Sequence, residues 1–472
     1  MKIQTILIFF IFHSLVLGQS SKKPTSTREG EKKSPEASES SNPYLLDRTD
    51  DIEEKLSTWT LAQIEDYAIK NNPLYLAEKK NIGIARGDVI TASLYRNPVI
   101  SYQNQFLPFG AGNSTSYLPT ISSNGVGVVP IGGTTYGGPP EIAPGISQDI
   151  DISGVIEQRT KVAKQAFQAQ IASFEDFDRL FRLRLRQNYW LYLYVSELVN
   201  FQREFFENYN ELLQLTKFRS EKGDISPLEY DRILIESIRI EKEYKDSQIF
   251  KDQVAKEVRF LIGISPRQKS LVLKGDLKYK TPNELGVNFD NINIENRPDL
   301  KALQLKSNQS RMNVDLQKKE GGLFGPYLSV GGEVRQKANE TYGGVYVSIP
   351  LKTFDQNQGN ILKAEEQYKK SQLELESKRK QIYAEIRASI KELNAREDVL
   401  KTYQKINLLE KNKEVQEKYR LAYIRGASNL VTFLEAEKNY LSVLRGYYEQ
   451  IYLYHNAIEQ YKAAIGKLGD LK

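Results

Sequence analysis

The chain has 472 residues, a formal net charge of +6 and no cysteine. Without cysteine there is neither a disulfide bond nor a lipid attached through an N-terminal cysteine, and two histidines and two methionines argue against a His-based triad, a multi-histidine metal site or a methionine-rich copper relay. The lysines are interleaved with glutamates on predicted helical faces, which indicates solvated helix surface and no nucleic-acid partner. We therefore expect no metal and no cofactor.

The first residues have the pattern of an export signal. Lys2 supplies a basic start, the apolar run from Ile6 to Val16 is too short to cross a bilayer, and Gly18 lies at a plausible cleavage site. We predict a signal peptide over residues 1–18, with an uncleaved membrane anchor as the alternative. Residues 19–57 are rich in Ser, Lys, Glu and Pro, and we predict a disordered tail because they carry too little apolar surface to bury.

Two short helices open the folded part of the chain. Thr60 and Gln63 form a capping-box pattern, which predicts a helix that starts there. This helix breaks at Asn72-Pro73, and a second helix is expected to run to about Leu94.

The sequence then repeats itself. Several positions of the first half have counterparts in the second: Pro73 and Pro298, Arg86 and Arg311, Val89 and Val314, Pro98 and Pro326, Ser101 and Ser329. We interpret the chain as a tandem duplication. The first repeat covers residues 58–296, the second covers residues 297–466, and residues 467–472 form a C-terminal tail.

Each repeat carries a pair of strand-like segments. They are predicted over residues 99–107 and 146–156 in the first repeat, and 327–336 and 342–351 in the second. Each is about as long as a transmembrane strand needs to be. Four strands cannot close a barrel in lipid, so copies of the chain would have to share one. Eight strands from two copies and twelve from three both remain open, as do two exposed hairpins on a soluble helical protein.

A long helical hairpin follows each strand pair, over residues 158–263 and 357–466. Apolar residues recur there at steps of three and four, and the first helix would approach about 100 Å in length. Gly223 with Ser226, and Gly426 with Asn429, mark the two turns, since glycine accepts a left-handed backbone and Ser or Asn caps the returning helix.

These features together resemble a known family. The chain around Gly223 reads Phe218-Arg-Ser-Glu-Lys-Gly-Asp-Ile-Ser-Pro-Leu-Glu, and the chain around Gly426 reads Tyr423-Ile-Arg-Gly-Ala-Ser-Asn-Leu-Val-Thr-Phe-Leu-Glu-Ala. With Asn-Pro and Arg-Pro-Asp-Leu before the short helices, residues 58–466 resemble the TolC-like outer-membrane efflux proteins, or outer membrane factors. The resemblance implies a mainly α protein with a small β membrane part. Three copies would share a twelve-stranded β-barrel, four strands per chain, continued by a periplasmic α-helical barrel.

The resemblance also implies partners. Such a homotrimer sits in outer-membrane lipid, extends into the periplasm and is a passive exit duct. It docks on a periplasmic adaptor, or membrane fusion protein, and on an inner-membrane efflux pump, which we expect to be of the RND type. The outer component of type I protein secretion and a non-conducting periplasmic scaffold are the alternatives. An enzyme is not expected, because no acid/base or metal constellation is found.

The same resemblance assigns roles to individual residues. The positions that match the family's adaptor-docking tips are Gly223, Ser226, Leu228, Gly426, Asn429 and Val431. Glu435 matches a pore-facing carboxylate, which would form an anionic ring in a trimer. Glu229 and Tyr423 match positions that form a latch at the closed mouth. The alternatives are ordinary solvated charges for Glu229 and Glu435, and helix packing for Tyr423. The sequence departs from the family pattern at Ser428 and Thr432.

Overall fold

The computed structural model describes residues 55–105, 116–122, 125–131, 141–264, 271–287, 293–337 and 340–467. The predicted signal peptide, most of the predicted tail and residues 468–472 lie outside these ranges. The helices are α1 (Leu61–Asn71), α2 (Pro73–Ser93), α3 (Val155–Glu221), α4 (Pro227–Ile262), α5 (Pro298–Glu320), α6 (Gln358–Lys405), α7 (Leu408–Ile424) and α8 (Leu430–Ala464), with a 3-10 turn at Ile294–Asn296. The strands are β1 (Val99–Gln105), β2 (Ser116–Ser122), β3 (Gly125–Ile131), β4 (Glu141–Asp151), β5 (Tyr327–Lys337) and β6 (Glu340–Ser348).

Four of the strands form one antiparallel sheet in the order β1-β4-β5-β6. The first repeat contributes β1 and β4, and the second contributes β5 and β6, so the pairing of β4 with β5 joins the repeats. Ile150 lies opposite Leu328 in this central pair. Within the described residues, the outer edges of β1 and β6 have no neighbouring strand.

The two faces of this sheet differ in polarity. Directly opposed residues of neighbouring strands share a face, and residues alternate between the faces along each strand. By this register one face carries Ile100, Tyr102, Ile146, Ile150, Leu328, Val330, Val334, Val345 and Val347. The other face carries Ser101, Gln103, Ser147, Asp149, Ser329, Glu333 and Arg335. The apolar face is largely uncovered: Val345 is 91% exposed and Ile100 is 82% exposed.

The second predicted strand of the first repeat is displaced along the chain. We expected residues 146–156, but β4 ends at Asp151. The Asp151 carboxylate accepts hydrogen bonds from the backbone N–H groups of Ser153, Gly154, Val155 and Ile156, at 2.8 to 3.2 Å. These are donors that the start of a helix leaves without intrahelical partners. Asp151 therefore stops the strand, and α3 begins at Val155 instead of near residue 158.

The last predicted strand also ends early. We expected residues 342–351, whereas β6 covers Glu340–Ser348. Pro350 has no backbone N–H to donate to a neighbouring strand, which disfavours further pairing. In β1 the described residues end at Gln105, so the last two positions of the predicted strand 99–107 lie outside them.

An additional hairpin lies between β1 and β4, in a segment rich in glycine, proline and serine where the sequence analysis predicted no strand. Strands β2 and β3 pair with Ser116 opposite Ile131 and Ser122 opposite Gly125. The glycines and prolines of this segment hid the strands from the sequence analysis. Proline is tolerated because each strand of a two-stranded hairpin has a free edge.

The helical hairpins dominate the molecule. Helix α3 has 67 residues, which gives about 100 Å at about 1.5 Å per residue. In the second repeat we expected one descending helix to Tyr423, but it is interrupted between α6 and α7. Asn407 adopts a left-handed backbone there with φ of 48°. Asparagine tolerates this region better than most residues. No helix within the described ranges is long and apolar enough to cross a membrane.

Helix α3 lies at the centre of the helical part. It packs against its hairpin partner α4, against both short helices α2 and α5, and against α8 of the second repeat. The largest core cluster surrounds its middle portion and includes Phe181, Leu185, Tyr189, Tyr192, Tyr454, Ile458 and Tyr461. The predicted apolar stripe of α3 and that of α8 therefore face each other.

A buried arginine links the end of α8 to the start of α5 by hydrogen bonds. Arg297 is 1% exposed, donates a bidentate pair of hydrogen bonds to Asp299 at 3.0 and 2.6 Å, and donates to the carbonyl of Ala464 at 2.7 Å. Arg179 of α3 donates to the adjacent carbonyl of Ala463 at 2.9 Å. Burial would raise the pKa of Asp299, but the Arg297 guanidinium holds it at about 2.

Candidate functional site

The first helical hairpin turns at Gly223, as predicted. Gly223 has φ of 79°, and the backbone N–H of Asp224 donates to the carbonyl of Arg219 at 2.9 Å, which closes the end of α3. Ser226 then caps α4, because its hydroxyl accepts a hydrogen bond from the backbone N–H of Leu228 at 3.2 Å. The result is a sharp turn in which Gly223, Asp224 and Ser226 are exposed.

The second hairpin repeats this geometry. Gly426 has φ of 73°, and the backbone N–H of Ala427 donates to the carbonyl of Ala422 at 2.8 Å. Asn429 caps α8 by accepting from the backbone N–H of Thr432 at 2.9 Å. Thr432, where the family pattern often has an acid, thus serves the cap.

The two tips are held together by one apolar cluster. It consists of Leu212 and Ile233 from the first hairpin and Tyr423, Leu430 and Phe433 from the second. The rings of Tyr423 and Phe433 are stacked, with centroids 5.0 Å apart and an angle of 12° between their planes. The structure therefore brings the two predicted tips to the same end of the molecule.

Apolar side chains project from this end. Leu228 and Val431, predicted as docking positions, are 62% and 49% exposed. Sequence analysis missed the exposed Phe218, Leu421 and Ile424 nearby. They lie beside the two turns, and within the described part of the chain no helix covers them.

Tyr423 and Glu229 are close but not hydrogen-bonded. The Tyr423 hydroxyl is buried and has no hydrogen-bond partner among the described residues. Burial, and to a lesser extent the nearby Glu229 carboxylate, raise the pKa of Tyr423. Packing against Phe433 is the role that this arrangement gives the ring, and the latch stays a prediction.

Two glutamates of α8 differ sharply in environment. Glu435 is exposed and makes no ion pair or hydrogen bond with another described residue. Glu437 lies almost on the opposite side of the helix and is only 4% exposed. Sequence analysis singled out Glu435 and missed Glu437, since both stand in one charged stretch. Within the described parts of the chain, no group of three His, Cys, Asp or Glu side chains is placed to hold a metal ion.

Comparison with known proteins identifies one part of the chain by sequence. Residues 292–467 match the family described as outer membrane efflux protein. These residues include the whole of the second repeat. No curated protein matches the chain.

The described fold is also found in solved structures. The Campylobacter jejuni CmeC outer membrane channel is 17% identical, with a TM-score of 0.66 over 86% of this chain and 85% of that one. The outer membrane protein VceC from Vibrio cholerae is 14% identical, with a TM-score of 0.63 over 86% and 96%. The open state of the Neisseria gonorrhoeae MtrE outer membrane channel is 15% identical, with a TM-score of 0.61 over 86% and 89%. At these identities the likeness concerns the fold.

Proposed function

We propose that this chain, whose residues 292–467 match the outer membrane efflux protein family, is the outer-membrane channel of a tripartite efflux system. In this role it is a passive exit duct across the outer membrane and the periplasm. A periplasmic adaptor and an inner-membrane pump of the RND type would deliver the cargo.

The two-faced sheet carries this proposal. A transmembrane barrel turns an apolar surface to lipid and a polar surface to its lumen. The sheet has one face of each kind, with the Glu333–Arg335 ion pair at 2.7 Å on the polar side. Within the described residues its two outer edges have no neighbouring strand, which would leave backbone groups unpaired in lipid, so we infer that other copies complete the barrel. Three copies would give twelve strands.

Two measurements test the channel directly. In detergent micelles we expect a particle mass of three protomers, and in planar bilayers we expect the purified protein to conduct ions. A protein that is monomeric in water without detergent, and that forms no conducting pore, would instead be the periplasmic scaffold.

Glu435 is proposed to face the pore. Three exposed carboxylates around the axis would attract cations and bind multivalent ones. We expect Glu435→Gln to weaken the block by multivalent cations and to raise the conductance in bilayer recordings. Glu414→Gln removes another exposed carboxylate, on α7, which pairs with Lys418, and is the control. If Glu435→Gln leaves the block unchanged, the carboxylate ring does not exist.

The same recordings test the latch between Tyr423 and Glu229. Removing the hydroxyl with Tyr423→Phe keeps the ring that stacks on Phe433. A latch predicts more frequent opening of this variant, and an unaltered open probability would assign Tyr423 to packing alone.

The hairpin tips are proposed to dock the adaptor. Gly223 is open to solvent, with no atom within 4 Å of an added Cβ, yet its positive φ disfavours any side chain. We expect Gly223→Val to reshape the turn and to reduce co-purification with the adaptor while the trimer persists. Gly286→Val, which also has positive φ and open space, is the control away from the tips. Normal adaptor binding by Gly223→Val would argue against docking at this turn.

A further inference from the structure

A cavity of about 120 Å³ lies between α3, α7 and α8. Aromatic rings of α3 and α8 form its inner walls: Phe201, Phe205, Tyr209, Phe433 and Tyr440. Helix α7 closes it with polar side chains only: Lys413, Gln416, Glu417 and Arg420. A space of this size admits several water molecules if polar groups are there to hold them.

Helix α7 is held more loosely than its neighbours. Of its 17 residues, only Tyr423 is buried. Its ends are set by two residues with left-handed backbones, Asn407 with φ of 48° and Gly426 with φ of 73°. Such positions form natural hinges, because they interrupt the helical hydrogen bonds. The helix leads directly into the second tip at Gly426, so the way in which α7 packs on α8 sets the position of that tip.

A partly buried hydrogen bond joins α7 to α8 beside the cavity. The side-chain amide of Gln416 donates to the carboxyl group of Glu437 at 2.6 Å. No cation lies within ion-pair distance of Glu437 among the described residues. A buried carboxylate without a cation is costly, whereas the protonated acid keeps the bond to Gln416 and fits the aromatic surroundings.

The charged groups around Glu437 do not offset the free-energy cost of burying its ionised carboxylate. From α7, Lys413 and Arg420 face the cavity together with the acidic Glu417. From α3, Glu204 and the buried hydroxyl of Tyr209 face it. Behind Tyr209, α4 contributes Glu236 and Arg239, which form an ion pair with each other. Burial raises the pKa of Glu437 to about 7, although Gln416 and Arg420 act to lower it.

We propose that Glu437 couples the binding of one proton to the seating of α7 on α8. With the proton bound, the hydrogen bond between Gln416 and Glu437 holds α7 against α8. When the proton leaves, the carboxylate draws water and the Arg420 guanidinium into the cavity, and α7 loosens between its hinges at Asn407 and Gly426. The second tip then moves with α7.

The direction of the effect follows from proton linkage. The seated form holds the proton up to a pH of about 7, while a solvated glutamate loses it above its ordinary pKa of 4.5. The equilibrium constant for packing α7 on α8 therefore falls as the pH rises through this window, by a factor on the order of 100 in total. Below the window and above it, Glu437 adds no further pH dependence.

Hydrogen exchange of the full chain in detergent micelles tests this coupling. After correction for the intrinsic exchange rate, we expect peptides from residues 408–424 to exchange at least about tenfold faster at about pH 8 than at about pH 5. Glu437→Gln mimics the protonated acid and should keep α7 protected at both values. Glu449→Gln, an exposed position on α8, should behave like the unaltered protein. Equal protection at both pH values, or a pH dependence that survives Glu437→Gln, would overturn the proposal.

Infrared spectroscopy provides a second measurement. Spectra of the unaltered protein should contain the carbonyl band of a protonated carboxylic acid near neutral pH, lost as the pH rises past about 7, and Glu437→Gln should lack this band. A spectrum in which every carboxyl group is ionised at neutral pH, or a band that survives Glu437→Gln, would also overturn the proposal. Neither measurement depends on ion conduction, so their outcome is independent of whether the channel conducts.

Discussion

Replacing Arg297 by methionine is expected to lower the free energy of unfolding by about 3–5 kcal/mol, because the change leaves a buried carboxylate without its main partner. Asp299 would lose both hydrogen bonds from the guanidinium, and the carbonyl of Ala464 would lose its donor. Lys378, 3.2 Å from Asp299, would remain as a weaker partner. Urea unfolding in detergent micelles, followed by circular dichroism, measures the loss.

Lys380→Met is the matched control. Lys380 is 76% exposed and pairs with Glu376 on the surface of α6, so its loss should change stability by about 0.5 kcal/mol or less. Similar losses for the two variants would mean that the buried pair contributes no more than a surface pair.

The same pair determines part of the acid sensitivity. The pKa of Asp299 is about 2, below its ordinary value of 3.8. The unfolded chain therefore binds more protons between these values, and the contribution of Asp299 to stability is lost as the pH falls through them. In Arg297→Met this acid-dependent loss should be smaller.

Replacing Gly263 by alanine is expected to be the second strongly destabilising change. Gly263 ends α4 with φ of 86°, and a Cβ there would lie 2.9 Å from the Cα atom of Asn72. Asn72 is itself fixed, because its amide donates to the carbonyls of Phe260 and Leu261 at 2.9 Å each. The left-handed backbone should cost about 1–2 kcal/mol, and displacing the neighbouring backbone about 1–3 kcal/mol more.

Gly286→Ala separates the two contributions. Gly286 has φ of 69° and open space around an added Cβ, so alanine there should add only the backbone strain. Both variants are measured by the same urea unfolding. If Gly263→Ala lowers the free energy of unfolding no more than Gly286→Ala does, the backbone at Asn72 moves aside without a measurable loss of stability.

The repeats, the strand pairs and the two turns were predictable because each depends on local chemistry. Gly223 and Gly426 have a positive φ, which favours glycine, and Ser226 and Asn429 follow at the spacing of a helix cap. The resemblance to the outer membrane efflux family rested in part on these residues; the family match confirms it over residues 292–467, and the fold of the chain is that of a solved outer membrane channel.

Other features depended on contacts that a sequence pattern does not reveal. The strand ends at Asp151 because one carboxylate satisfies four backbone donors. The break at Asn407 rests on a single residue in a long helical pattern. The β2–β3 hairpin combines residues that usually indicate loops, and they form strands because each finds a partner in the other.

The functional residues show the same limit. Glu435 and Glu437 are indistinguishable by type and lie two positions apart, yet one is solvated and the other is enclosed by aromatic rings. The helical rotation between the two positions and the path of α7 determine which of the two glutamates is buried. The roles of Glu229, Tyr423 and Glu435 in a pore remain predictions for the recordings described above.

Within the described residues, the two unpaired borders of the sheet belong to different repeats, β1 to the first and β6 to the second. Two chains that joined β1 to β1 as antiparallel strands would be related by a twofold axis through the sheet, which would place their helices on opposite sides of the membrane. A ring in which every chain points the same way closes only if the β1 border of each chain meets the β6 border of the next, which is a head-to-tail contact between unlike surfaces. Every contact between chains in such a ring is the same pairing of β1 with β6, so one chain with a defective edge strand leaves open any ring that includes it.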